Sequence, residues 1–176
     1  LNLILFLTLD FVSGKSSTFD QSIYNIEVKS SSGKSFRMKR FSGKKILIVN
    51  VASNCGYTPQ YKDLQNLYDE FSNILEIIAV PCNDFGGQEP SNNEGIKEFC
   101  RVNYGVTFSI LEKIKIKGQS SHPLYRWLTD PSKNGWNSKF PSWNFCKYLI
   151  DEKGNLIEYF PSGINPKSNK IISKLL

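Results

Sequence analysis

Four thiols supply the most reactive chemistry in this chain: Cys55, Cys82, Cys100 and Cys146, separated by 27, 18 and 46 residues. No two form a C-x-x-C pair, and His122 is the single histidine. Zinc ligands come in close Cys and His pairs, so a metal site is not expected. Four cysteines in 176 residues are also too sparse for the disulfide framework of a small secreted scaffold. They read as thiols of a reducing compartment, with chemistry at one or two of them. Cys55 has the most telling setting, in "VNVASNCGYTPQYKDL" (49–64), just after an apolar run and just before a proline. A thiol between a strand end and a helix start faces free backbone N–H groups and the positive end of a helix dipole. Both favour the thiolate, which is the nucleophilic form. A small buried cysteine at a strand end is the plain alternative. Three places on stands Thr58 rather than a second cysteine, so Cys55 needs a distant redox partner or a different chemistry.

The surrounding pattern says how such a turn is built. "KKILIVNVA" is a continuous apolar run, as in a central strand covered on both faces. Pro59 suits the first turn of a helix with Thr58 as its cap, and Leu64, Leu67, Tyr68 and Phe71 follow on one helical face. "LEIIAV" (75–80) is a second buried strand, completing a βαβ unit whose strands are expected to be parallel. Open α/β sheets place reactive groups at the carboxyl edge of such strands. "PCNDFGGQEP" (81–90) is a loop, and Ser91-x-x-Glu94 forms a capping box for a helix carrying Ile96, Phe99 and Cys100 on one face, with Gly105 at its end. A strand is expected within "SILEKIKI", and a short helix opens at His122-Pro123 and runs through Trp127 and Leu128. Hairpins are expected over "SIYNIEVKSSSGKSFRMKRF" and "FCKYLIDEKGNLIEYF", the latter turning at Glu152–Asn155, and "NPKSNKIISKLL" closes as a helix. Helices should cover both faces of one central sheet.

Composition narrows the function classes. The chain is 40% hydrophobic with a formal net charge of +6, and its basic residues are scattered without an arginine-rich stripe. Nucleic-acid binding is not expected. A solvated basic face, or attraction to anionic lipid or an acidic partner, fits better. The opening "LNLILFLTLDFVSGKSS" is apolar but too short to span a bilayer. Residues 1–18 read as a hydrophobic leader or its remnant, the alternative being an arm packed on the domain, and residues 19–176 as one domain. The location is then the cytosol or an organelle reached through that leader.

Three separated blocks, "NVASNCGYT" (50–58), "PCNDFGGQEP" (81–90) and "WNFCKYLID" (143–151), resemble the signature blocks of the glutathione peroxidase family, in the family's order. The resemblance covers residues 22–176 and implies an α/β, thioredoxin-like fold: a central mixed β-sheet flanked by helices, with an N-terminal β-hairpin. It implies reduction of hydrogen peroxide and of organic or lipid hydroperoxides without a cofactor or metal. Cys55 matches the peroxidatic position, Gln88 the glutamine of the second block, and Trp143 and Asn144 the "WN" pair of the third. These types suit the chemistry, because amide and indole N–H groups are neutral donors that hold a thiolate and peroxide oxygens without adding a competing base.

Attack on peroxide would leave Cys55 as a sulfenic acid. Cys100, in "IKEFC", resembles the resolving cysteine of the thioredoxin-dependent members, although many of these carry one more residue between the Phe and the Cys. Thioredoxin is then the expected reductant, with glutathione as a direct reductant and Cys82 as a second resolving candidate. The helical pattern buries Cys100, so its helix must partly unwind before a disulfide closes. Cys146 falls where the third block often carries Thr or Ser and reads as a buried thiol. The short stretch before "WNF" resembles the monomeric, phospholipid-hydroperoxide type. A peroxide sensor that relays oxidation through Cys55 to a partner remains an alternative; a metal-binding or assembly module of the same fold is disfavoured by the lack of a second cysteine or a histidine near Cys55.

Overall fold

The computed structural model describes residues 22–176; the expected leader lies outside the described residues. Strands β1 (Glu27–Lys29) and β2 (Ser35–Arg37) pair antiparallel as the first expected hairpin, flanked by 3-10 turns at Ile23–Asn25 and Met38–Phe41. The main sheet has five strands: β3 (Lys45–Val51), β4 (Leu75–Pro81), β5 (Ser109–Ile110), β6 (Lys147–Ile150) and β7 (Leu156–Phe160), in the order β5-β4-β3-β6-β7. β3 runs parallel to β4 and antiparallel to β6, so the sheet is mixed and β3 is central. Helices are α1 (Gln60–Phe71), α2 (Asn93–Tyr104), α3 (Pro123–Leu128), α4 (Pro131–Asn134) and α5 (Asn169–Leu175). This is the thioredoxin-like α/β architecture with its N-terminal hairpin.

Strand periodicity divides the interior into two cores. Ile46, Ile48, Ile78, Val80, Tyr148 and Ile150 face one side and pack with Val28, Met38 and Phe41 near the hairpin and with Leu124 and Leu128 of α3. Leu47, Val49, Val51, Ile77, Ala79 and Leu149 face the other, against Leu64 and Leu67 of α1, Ile96 and Cys100 of α2, and Ile171 and Leu175 of α5. Because both faces are covered, β3 and β4 need apolar residues at nearly every position, which explains their unbroken hydrophobic runs.

Several local expectations shift. The cap of α2 is Asn92, whose side chain accepts from Gly95 N–H, rather than Ser91. Both residues can cap, and the one with extended backbone at the first turn takes the role. β5 has only two residues; just beyond it Leu111 N–H donates to the Ala79 carbonyl of β4 and Leu111 bridges Ser30 of the hairpin segment. α4, opened by Pro131 and ended by Gly135 at φ 97°, is a further short helix. Gly105 ends α2 in the left-handed conformation, as expected.

Candidate active site

Topology brings the three sequence blocks to one edge. β3 and β4 are parallel and finish there at Val51 and Pro81, while β6 is antiparallel and begins there at Lys147. The segments carrying Cys55, Gln88 and Trp143–Asn144 therefore leave neighbouring strands side by side. Direct hydrogen bonds tie them together. Asn54 N–H donates to the Gln88 carbonyl at 3.0 Å, and the buried Asn144 amide donates to Gln88 Oε1 at 3.0 Å and to the Phe85 carbonyl at 3.5 Å. Trp143 remains 38% exposed, so its indole stays accessible at the surface. Its ring packs edge-on to Phe85 with centroids 5.8 Å apart.

Cys55 is buried, with 8% of its surface exposed. Thr58 does not cap α1 as the sequence suggested. Its hydroxyl accepts from Cys55 N–H at 2.9 Å and donates to the Ala52 carbonyl at 2.8 Å, clamping the turn that carries Cys55. The helix instead follows Pro59, which makes no side-chain cap. Pro59 takes the cap position in helical backbone and Thr58 faces back toward the strand. Tyr57 N–H donates to Cys55 Sγ at 3.4 Å, a backbone donor at the sulfur of the kind expected from the strand-to-helix turn.

Cys100 is fully buried on α2, and Cys55 and Cys100 are both free thiols within the same core. Burial pushes the Cys100 thiol up to about 11; the nearby Tyr61 hydroxyl opposes this and the Glu89 carboxylate adds to it. Burial likewise raises the Glu89 carboxyl, against the pull of Ser53 and Lys113. Cys82, the other resolving candidate, faces the opposite core and is pushed up to about 12, chiefly by burial. Cys146 is buried as expected, yet against the cost of burial the hydroxyls of Ser162, Tyr159 and Ser142 hold it below its ordinary value. His122 caps α3 through Nδ1, matching its reading as a helix-start residue.

A family model for glutathione peroxidase matches residues 23–129. The chain belongs to the glutathione peroxidase family. A "Glutathione peroxidase homolog BsaA" from Staphylococcus epidermidis is 46% identical, covering 89% of this chain and 99% of the relative. A "Glutathione peroxidase-like peroxiredoxin 2" from Saccharomyces cerevisiae is 43% identical over 84% of this chain and 91% of its own length. Among solved structures, that of T. cruzi GPX1 is 31% identical, covers 88% of this chain and 94% of the other, and has a TM-score of 0.66.

Site features beyond those expected are all polar residues doing structural service near this glutathione peroxidase edge. Lys113 Nζ donates to the carbonyls of Glu89, Pro90 and Ser91, at 3.1, 3.4 and 2.7 Å, gathering the end of the Gln88 loop. Fully buried Lys147 donates to Gln60 Oε1 and to the carbonyls of Ser162 and Ile164, at 2.6, 3.2 and 2.6 Å, fixing the start of α1 below Cys55. For Lys147 the signal in the sequence was a charged residue at the head of the apolar run "KYLI".

Proposed function

We propose that the protein is a thiol peroxidase that reduces hydrogen peroxide and organic or lipid hydroperoxides through Cys55. The observation carrying this reading is the hydrogen-bonded run Asn54–Gln88–Asn144, which sets neutral donors beside the turn that holds the thiol. The Cys55 thiolate attacks one peroxide oxygen; the O–O bond breaks, the sulfur becomes a sulfenic acid, and the departing alkoxide or hydroxide takes a proton. Gln88, Asn144 and Trp143 supply N–H donors where negative charge moves from sulfur to oxygen.

In the second step the Cys100 sulfur attacks the Cys55 sulfur. The S–O bond breaks, the Cys100 proton leaves with the hydroxide as water, and a disulfide forms. A dithiol protein of the thioredoxin type then reduces the disulfide. Cys100 lies buried within α2, so part of that helix unwinds before the bond closes. The naming of relatives as peroxiredoxins supports a thiol reductant.

The test is steady-state peroxide consumption by wild type, Cys55→Ser and Cys100→Ser, with thioredoxin or glutathione supplied. Cys55→Ser should abolish turnover. Cys100→Ser should lose thioredoxin-supported turnover while still reducing about one equivalent of peroxide. Full thioredoxin turnover by Cys100→Ser would remove Cys100 from the cycle.

A further inference from the structure

We propose that Asn50 is a positioning residue for the peroxide step, acting through a strained bulge that aims Trp143 and Asn144. This rests on the reading that those two residues serve Cys55.

Asn50 is fully buried in the central strand, one residue beyond the regular pairing of β3 with β6. The last regular pair is Val49 with Lys147. Beyond it, Asn50 N–H donates to the Cys146 carbonyl at 3.3 Å, while the Asn50 carbonyl accepts from Phe145 N–H at 2.6 Å. One residue of β3 thus faces two of the incoming segment, which is a β-bulge. The pattern is that of the G1 form, whose first position is normally glycine because the backbone there is left-handed. Here it is Phe145 at φ 65°, the single non-glycine residue with positive φ among the described residues. Such a conformation is strained and persists only where the surroundings over-determine it.

Two contacts do so. The Phe145 ring is fully buried and packs edge-on to Tyr61 of α1, centroids 5.5 Å apart. On the other side of the bulge, Asn50 Nδ2 donates to the Trp143 carbonyl at 2.9 Å. Asn50 therefore bonds to three residues of the four-residue run Trp143–Cys146 and brackets Asn144. A bulge bends the chain and re-aims its side chains. Here it sends the Asn144 amide to Gln88 and leaves Trp143 at the surface beside Phe85. A polar residue in an apolar strand is costly unless bonded; the Nδ2 group of Asn50 is spent on the segment that carries two donors of the site.

The experiment compares Asn50→Asp, which keeps the shape but replaces the Nδ2 donor, with Asn50→Ala, Trp143→Phe and Asn144→Asp. Stopped-flow fluorescence gives the second-order rate of Cys55 oxidation by hydrogen peroxide, and dithiothreitol reduction of the preformed oxidised protein gives the return step. Circular-dichroism melts identify folded variants. Asn50→Asp should slow oxidation about 100-fold, as a misplacement near 1 Å does, while the return step changes less than threefold. A purely structural role would lower the melting temperature and leave the two half-reactions in their wild-type ratio, which overturns the proposal. So does wild-type oxidation in folded Asn50→Asp when Trp143→Phe and Asn144→Asp are slow. If those two variants also oxidise at the wild-type rate, the reading of the site itself fails.

Discussion

The side-chain amide of Asn144 donates to Gln88 Oε1 across 3.0 Å, from one loop at the sheet edge to another. That bond fixes which end of the Gln88 carboxamide is engaged and leaves its Nε2 hydrogens for the proposed peroxide step. Asn144→Asp removes the donor and favours a flipped Gln88 that presents its oxygen instead. Loss of one well-placed donor typically costs about 100- to 1000-fold. Stopped-flow oxidation of Cys55 by hydrogen peroxide should fall by that order in Asn144→Asp, and Gln88→Leu should fall with it.

Thr58 holds the Cys55 turn from both ends, with Cys55 N–H and the Ala52 carbonyl. Thr58→Val keeps the volume and deletes both bonds. A buried polar group left without a partner costs about 1–3 kcal/mol, so urea unfolding should show a destabilisation of about 2–4 kcal/mol. Thr58→Ser, which retains the hydroxyl, should recover most of it.

The buried Cys100 thiol gives a stability signature at alkaline pH. Its value rises from 9.0 to about 11 on folding, so the folded state holds the proton more tightly. The associated stabilisation is complete below the unfolded thiol's value and is lost as pH climbs from about 9 through about 11; it is worth roughly 3 kcal/mol. The difference in unfolding free energy between wild type and Cys100→Ala, followed by urea titration under reducing conditions, should shrink by that order between pH 8 and 11.

Gly86 has φ 66°, and a Cβ placed there would lie 3.2 Å from Trp143 Cη2. Gly86→Ala is therefore strained in the backbone and crowds the indole. A left-handed non-glycine residue costs roughly 1–2 kcal/mol. The variant should lose about that much stability by chemical denaturation. It should also oxidise at Cys55 more slowly, because the displaced ring is one of the proposed donors.

Much of the scaffold was legible because the relevant forces are local. The unbroken runs of β3 and β4 announce strands covered on both faces, and the 3.6-residue spacing of Leu64 and Leu67 announces the buried face of α1. Gly105 could end α2 because left-handed backbone favours glycine wherever it occurs. Caps were less legible: Ser91 and Asn92 are chemically equivalent at a helix start, and only the backbone path selects Asn92. Thr58 had the residue type of a cap and became a clamp, since Pro59 takes the cap position.

From its residues alone, this chain determined its strands and main helices, the placing of Cys55 at a strand-to-helix turn, and three blocks of polar and aromatic side chains. The register of β6 against β3 was decided only in three dimensions. That register puts two residues opposite Asn50, forces Phe145 into a left-handed backbone, and turns Asn144 toward Gln88. Local propensity disfavours a phenylalanine there, so no sequence rule reads it; packing against Tyr61 and hydrogen bonding from a strand about 95 positions earlier hold it in place.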